Sequence, residues 1–240
     1  MEDWKLEPAK DLGLPTPQRL RSAKRESGLI ETIGHLLWWP IVRVYLRLYH
    51  RLDVTGRENL PIDPPFVLCA NHSSHLDAMV LASVFGWRLR DKVFPIAAGD
   101  TFFEKSRSTV FAAVALNALP LWRKSAGRHA LDEIRQRLIG ECCVYILFPE
   151  GTRSRDGTMG PFKPGLGMMV VGTKVKVVPC HLSGAYEAMP PDASIPRPKK
   201  VRLAIGPAIE FPHLKNNREG WEHVAATVRS AVDDLAARHR

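Results

Sequence analysis

The sequence has no CxxC pair. Its four cysteines are the isolated Cys69 and Cys180 and the adjacent Cys142 and Cys143, all inside apolar stretches. That spacing argues against a zinc ribbon or a disulfide framework and fits a reducing compartment. GxSxG is also missing, so a hydrolase of the nucleophile-elbow type is not indicated; Ser73 or Ser74 would need its own base and a strained turn. Long apolar runs are absent. In residues 28–50 the longest uncharged run, residues 32–42, is 11 residues long, holds His35 and is interrupted by Pro40, whereas a membrane span needs about 20. Residues 1–5 lack the basic-then-apolar order of a secretory signal, so export is not expected. Acidic residues are the minority, 25 against 34 Lys and Arg, for a net charge of +9. That balance suits an anionic partner: nucleic acid, a membrane face, or phosphorylated and thioester-carrier substrates. The basic residues are scattered without an aromatic-basic recognition motif, which speaks against nucleic acid.

At 240 residues and 45% hydrophobic, the chain can bury a sizeable core, and a single domain is expected. Residues 1–27 mix charge with Pro8, Pro15 and Pro17 and read as a mobile arm. Residues 28–50 admit two readings, a core-packing helix or an amphipathic helix lying in a membrane interface. Trp38 and Trp39 beside Arg43 and Arg47 favour the interface, because an aromatic and cationic edge suits the headgroup layer. Strands are expected at residues 66–70, 93–98, 144–148, 176–182 and 200–206, with a short extended piece at 119–124. Pro95 argues for an edge or a bulge. Helices are expected at 78–85, 102–116, 130–138 and 221–237, with Arg128, Arg135 and Arg137 solvated. This alternation indicates an α/β layer structure: one domain, a mixed sheet flanked by helices, preceded by an N-terminal amphipathic helix.

The chemistry centres on Asn71-His72-Ser73-Ser74-His75-Leu76-Asp77, where an apolar strand hands over to an apolar helix. On one continuous helix His72 and Asp77 would point about 140° apart, so they meet only if a turn precedes the helix. Asn and Ser supply such turns readily. Asp77 would then hold one imidazole nitrogen and leave the other as a base. Two alternatives stand beside this: Asp77 or Ser74 as an ordinary helix N-cap, or His72, His75 and Asp77 as a metal site.

Four blocks in order, Asn71-His72 with Asp77, then Pro120-Leu121-Trp122-Arg123, then Phe148-Pro149-Glu150-Gly151-Thr152-Arg153-Ser154, then Val178-Pro179-Cys180, resemble those of the glycerolipid acyltransferases, the lysophosphatidate-acyltransferase-like enzymes. The similarity spans roughly residues 50 to 210. It implies an acyltransferase domain over residues 51–240 that moves an acyl group from acyl-CoA or acyl-carrier protein to a lipid hydroxyl, without metal, cofactor or covalent enzyme intermediate. His72 would be the base and Asp77 its orienting partner. Arg153 matches the family's phosphate-gripping arginine, with Glu150, Gly151 and Thr152 completing its block. Arg123 matches the arginine of the second block, and Lys163 lies where members often carry a basic residue before a glycine. Pro179 shapes a strand. One departure is Ala97-Ala98-Gly99-Asp100-Thr101-Phe102-Phe103, where many members carry a lysine; that wording resembles a divergent lysophospholipid acyltransferase branch. The resemblance also implies a lysophospholipid acceptor and a peripheral place on the cytoplasmic face of a membrane. A lipid or acyl-carrier binding module that has lost catalysis is the alternative from another class.

Overall fold

A computed structural model describes residues 10–26, 28–98, 111–121 and 127–238. Its strands are β1 (Asp53–Thr55), β2 (Phe66–Ala70), β3 (Val93–Ala98), β4 (Leu119–Leu121), β5 (Val144–Leu147), β6 (Lys176–Ser183) and β7 (Arg202–Ile205). Its helices are α1 (Thr16–Arg19), α2 (Leu29–Leu48), α3 (Asp77–Ser83), α4 (Gly127–Gly140), α5 (Gly165–Val170), α6 (Ala185–Ala188) and α7 (Arg218–Arg238).

Every residue of β2 is buried, as a near-continuous apolar run demands of a central parallel strand covered on both faces. The sheet runs in the order β1-β7-β6-β2-β5-β3-β4. All pairings are parallel except β6 with β7, so the expected mixed sheet is present. Because β2, β5 and β6 run the same way, the chain leaves their C-terminal ends at one edge.

Three prolines lie in this sheet: Pro120 is on the edge strand β4, and each of the other two marks a change of partner. β3 pairs with β5 through Val93–Pro95 and with β4 through Ile96–Ala98. Pro95 is therefore on an interior strand, not on an edge, the first of its two expected places, and its missing N–H falls where one ladder gives way to the next. Pro179 occupies the gap between the Val177 to Ile209 bridge and the β6–β7 ladder, which starts at Cys180.

Each face of the sheet carries a core. Phe66, Leu68, Val178 and Leu203 pack with Leu46 of α2 and with Val80 and Leu81 of α3. Val67, Tyr145 and Val177 pack with Ile134 and Leu138 of α4, Met169 of α5 and Val224 and Val228 of α7.

Three expectations change on packing grounds. Trp39 is only 3% exposed and lies under the Arg90 guanidinium, 4.4 Å from its ring; Arg43 turns inward and donates to the carbonyls of Ser83 (3.0 Å) and Phe85, closing the C-terminal end of α3 where a cation is favoured. The outward face of α2 is instead apolar: Ile33, Leu36, Leu37, Ile41, Val44 and Leu48 are exposed. Arg137 is buried rather than solvated, its guanidinium 4.6 Å from the Phe94 ring and donating to Glu141 (2.8 Å) and to the Arg25 carbonyl (2.8 Å). Within the expected arm, residues 10–26 are docked on the domain: Asp11 and Arg25 are buried, Arg19 Nε donates to Asp11 Oδ2 at 2.6 Å and Arg25 to Asn117 Oδ1 at 2.7 Å. Most of the expected helix at 102–116 lies outside the described residues; its last turn, Phe111–Ala115, is helical.

Candidate active site

The site begins where β2 ends. Asn71 extends the β2–β6 pairing by one step with its side chain, which donates to the Leu182 carbonyl at 3.0 Å and accepts from the Leu182 N–H at 2.8 Å. This pins the chain as it turns away from the sheet. Residues 71–76 then form the turn that the spacing required, and α3 starts at Asp77. His72 Nδ1 lies 2.9 Å from Asp77 Oδ2. The same oxygen accepts the N–H groups of Ser73 at 2.7 Å and Ser74 at 2.8 Å, so Asp77, with no exposed surface, shapes the turn and orients the ring together. The capping alternative does not hold: the N-cap of α3 is Leu76, without a side-chain cap, and Ser74 Oγ accepts the Leu76 N–H at 3.1 Å within the turn ahead of the helix. With Nδ1–H committed to a carboxylate, the His72 lone pair is at Nε2, the arrangement of a general base. The ring stacks on Phe148, centroids 4.0 Å apart.

The second half comes from the end of β5. Ser154 N–H donates to the His72 carbonyl at 2.8 Å, and Glu150 ties the two segments more firmly. Its Oε1 accepts the His72 N–H and its Oε2 the Gly160 N–H, each at 2.7 Å. Burial pushes the Glu150 carboxyl up, opposed by those two backbone donors. Both oxygens are thus engaged, and Glu150 fixes the loop. Gly151 has φ +74°, a conformation that strains any residue with a Cβ, and the Lys163 Nζ folds over the turn into the space such a Cβ would take.

An open cavity of about 510 Å³ is lined by Glu150, Thr152, Arg153, Arg155 and Lys163, among others. His72 and Asp77 do not line it; they adjoin it through Glu150 and Arg153. Burial lowers the Arg153 guanidinium, while Asp77 and Asp192 act to raise it. Arg153 also meets the His75 ring, 2.6 Å from Nδ1, and His75 Nε2 donates to the Pro191 carbonyl at 3.0 Å. The same Arg153 Nη1 also contacts His75 Nε2, and burial together with Arg153 lowers the His75 pKa. Its ring nitrogens serve these partners rather than a cluster with His72 and Asp77. Among the described residues no group of three or more His, Cys, Asp or Glu is placed to hold a metal ion.

The structure therefore brings together His72, Asp77, Glu150, Gly151, Thr152, Arg153 and Lys163. Arg123 lies outside the described residues, as do Gly99 to Phe103 of the departing stretch. Two contributors carried no assigned role in the sequence, Phe148 under the His72 ring and the 189–191 segment, whose carbonyls at Met189 and Pro191 receive Ser74 Oγ (2.7 Å) and His75; His75, read in the sequence only as a candidate metal ligand, sits against Arg153. Only the Met189-Pro190-Pro191 turn hints at the 189–191 contribution.

A family model described as Acyltransferase matches residues 51–183. The chloroplastic 1-acyl-sn-glycerol-3-phosphate acyltransferase BAT2 of Brassica napus is 32% identical over 162 residues, covering 63% of this chain and 42% of that protein. The 1-acyl-sn-glycerol-3-phosphate acyltransferase alpha of Homo sapiens is 29% identical over 133 residues, 55% of this chain and 46% of that protein. The chain thus spans less than half the length of these two curated relatives. The crystal structure of the 1-acyl-sn-glycerophosphate acyltransferase PlsC from Thermotoga maritima superposes with a TM-score of 0.64 at 25% identity, over 87% of this chain and 80% of that one.

Proposed function

Since this chain belongs to the Acyltransferase family, we propose that it is an O-acyltransferase. It moves a fatty acyl group from acyl-CoA or acyl-carrier protein to the free hydroxyl of a lysophospholipid, 1-acylglycerol-3-phosphate foremost, in phospholipid synthesis or remodelling. The observation that carries this reading is the His72 Nδ1 to Asp77 Oδ2 contact of 2.9 Å beside a cationic cavity. His72 Nε2 takes the hydroxyl proton as the oxygen attacks the thioester carbonyl; the tetrahedral adduct then expels the thiolate, and the imidazolium returns the proton to sulfur. Asp77 stabilises the imidazolium while it exists. Arg153 and Lys163 hold the acceptor phosphate, Arg153 through its planar fork. No metal, cofactor or acyl-enzyme enters this scheme.

The second part of the proposal is a peripheral place on the cytoplasmic face of a membrane. No helix among the described residues is long and apolar enough to cross one. The exposed face of α2 offers Leu36, Leu37, Ile41, Val44 and Leu48, with Leu37 69% exposed, and burying that face is worth on the order of 5 kcal/mol before ordering costs. The aromatic pair does not supply this surface, because Trp39 faces the core.

Radiolabelled acyl-CoA and acyl-carrier protein offered against a panel of lysolipids test the function. Acylation of 1-acylglycerol-3-phosphate, lost in His72→Ala, is expected. Lipid binding without turnover by the intact protein would return the reading to a binding module. For the docking, a folded Leu37→Ser/Ile41→Ser variant should lose co-sedimentation with vesicles of any charge. Unchanged binding would remove α2 from the interface.

A further inference from the structure

The loop after α6 links two parts of the molecule that the proposed function treats separately. At its start, the Met189 and Pro191 carbonyls accept from Ser74 and His75 beside the base. At its end, the Pro196 carbonyl accepts Tyr49 Oη at 2.9 Å, the Lys199 carbonyl lies 3.3 Å from His50 Nδ1, and the Val201 N–H donates to the His50 carbonyl at 2.9 Å. One short loop is therefore strapped from the catalytic turn to the C-terminal end of α2.

What this loop shows to solvent is specific. Ile195 is 78% exposed, and Arg197 and Lys199 are exposed. Arg47 and Arg51, also exposed, lie on the adjoining end of α2 and just after it, where Arg51 donates to the Pro198 carbonyl at 3.3 Å. Lys200 is engaged with Asp53 at 3.1 Å, and Asp192 is the one exposed acid of residues 190–200. An exposed isoleucine among cations, on a loop bonded to the end of α2 through Tyr49, combines what an anionic bilayer surface rewards: apolar insertion and positive charge at headgroup level.

We infer that residues 195–199, with Arg47 and Arg51, form a second membrane contact that reads anionic headgroups and sets the height of the catalytic turn above the bilayer. This rests on α2 docking to a membrane. An acidic carrier protein would also meet the cations, but the exposed Ile195 and the loop's attachment to the end of α2 favour the lipid surface. The contact places a lipid acceptor near His72 without extraction of the acyl chain into water.

Co-sedimentation with phosphatidylcholine vesicles, and with phosphatidylcholine vesicles containing phosphatidylglycerol, tests the inference on the full chain. Arg197→Gln/Lys199→Gln removes two charges, each worth about 1 kcal/mol at an anionic surface, so affinity for the anionic vesicles should fall about 30-fold. Affinity for the neutral vesicles should hold, as should turnover of a short-chain, water-soluble acceptor. Added salt should weaken the wild type toward the variant. If wild type binds neither vesicle, the docking of α2 fails and the inference falls with it. If wild type prefers anionic vesicles and the variant keeps that preference, the loop assignment alone is overturned. A variant that binds vesicles normally but loses rate only with acyl-carrier protein would reassign the loop to the donor.

Discussion

Asp77→Asn isolates the charge at the centre of the site. Asp77 Oδ2 receives His72, Ser73 and Ser74, while its Oδ1 is buried without a hydrogen-bond partner among the described residues. An asparagine can place its carbonyl oxygen where Oδ2 stands and its amide where Oδ1 stands, so the turn keeps its acceptor and no donor is driven against another. The change that remains is the missing negative charge opposite the imidazolium. With Nδ1 and Oδ2 at 2.9 Å, the charge centres are about 4 Å apart, and at an effective dielectric of about 20 their attraction is about 4 kcal/mol. Losing that from the transition state slows turnover by about 10³. The assay is thiol release at saturating donor and acceptor, with thermal unfolding run in parallel. Turnover within about tenfold of wild type, with unfolding unchanged, would refute the role of Asp77 as the group that stabilises the charged ring.

Glu150→Gln should lower both stability and turnover, because an amide can replace only one of two charge-assisted acceptors; a loss of about 1.5–3 kcal/mol corresponds to a Tm fall of roughly 4–10 °C in a chain of this size, and an unaltered Tm would contradict the clamp. Arg153→Ala should raise the acceptor KM about 10- to 100-fold with the donor KM little changed, and Arg153→Lys should recover part of it; equal changes for both substrates would count against phosphate binding. Stability should also depend on pH through His75. Its folded-state pKa is lowered by burial and Arg153 from the ordinary 6.5, so its contribution is present in full above 6.5 and is lost as pH falls through the lower folded-state value. Urea midpoints on both sides of pH 6.5 should show that loss, with a shallower decline in His75→Gln than in wild type.

Much of this was readable because it is local. β2 and β5 are unbroken apolar runs that end in polar, turn-forming residues, and the His72 to Asp77 spacing demanded the turn that Ser73 and Ser74 supply. What was not readable depends on which side of an element meets the sheet. α2 is apolar on both faces, so periodicity could not say which is inside, and its arginine and tryptophan misled: Arg43 is spent on the end of α3, and Trp39 lies beneath Arg90. Arg137 looked like a solvated helix residue, yet its guanidinium satisfies the Arg25 carbonyl and covers Phe94. The docked segment 10–26, rich in charge and proline, carries no apolar period because polar contacts such as Arg25 to Asn117 hold it.

The convergence of blocks some eighty residues apart follows from the sheet alone. β2 and β5 are adjacent and parallel, with Cys69 opposite Leu147, so the turns after them must emerge side by side. Once there, two residues separated by only Thr152 and Gly151 divide their work. Both line the open cavity, but Glu150 spends its carboxylate on the His72 and Gly160 backbone, whereas Arg153 faces the cavity's cationic side. The reversal between them is the positive φ of Gly151, with Lys163 folded over the space a side chain would fill. A block that reads in sequence as one binding motif is therefore two devices, an internal staple for the 71–76 turn and a basic wall on the cavity, which in the proposed function faces the acceptor. Loss of the staple should reach kcat through the position of His72, whereas loss of the wall should reach the KM of one substrate.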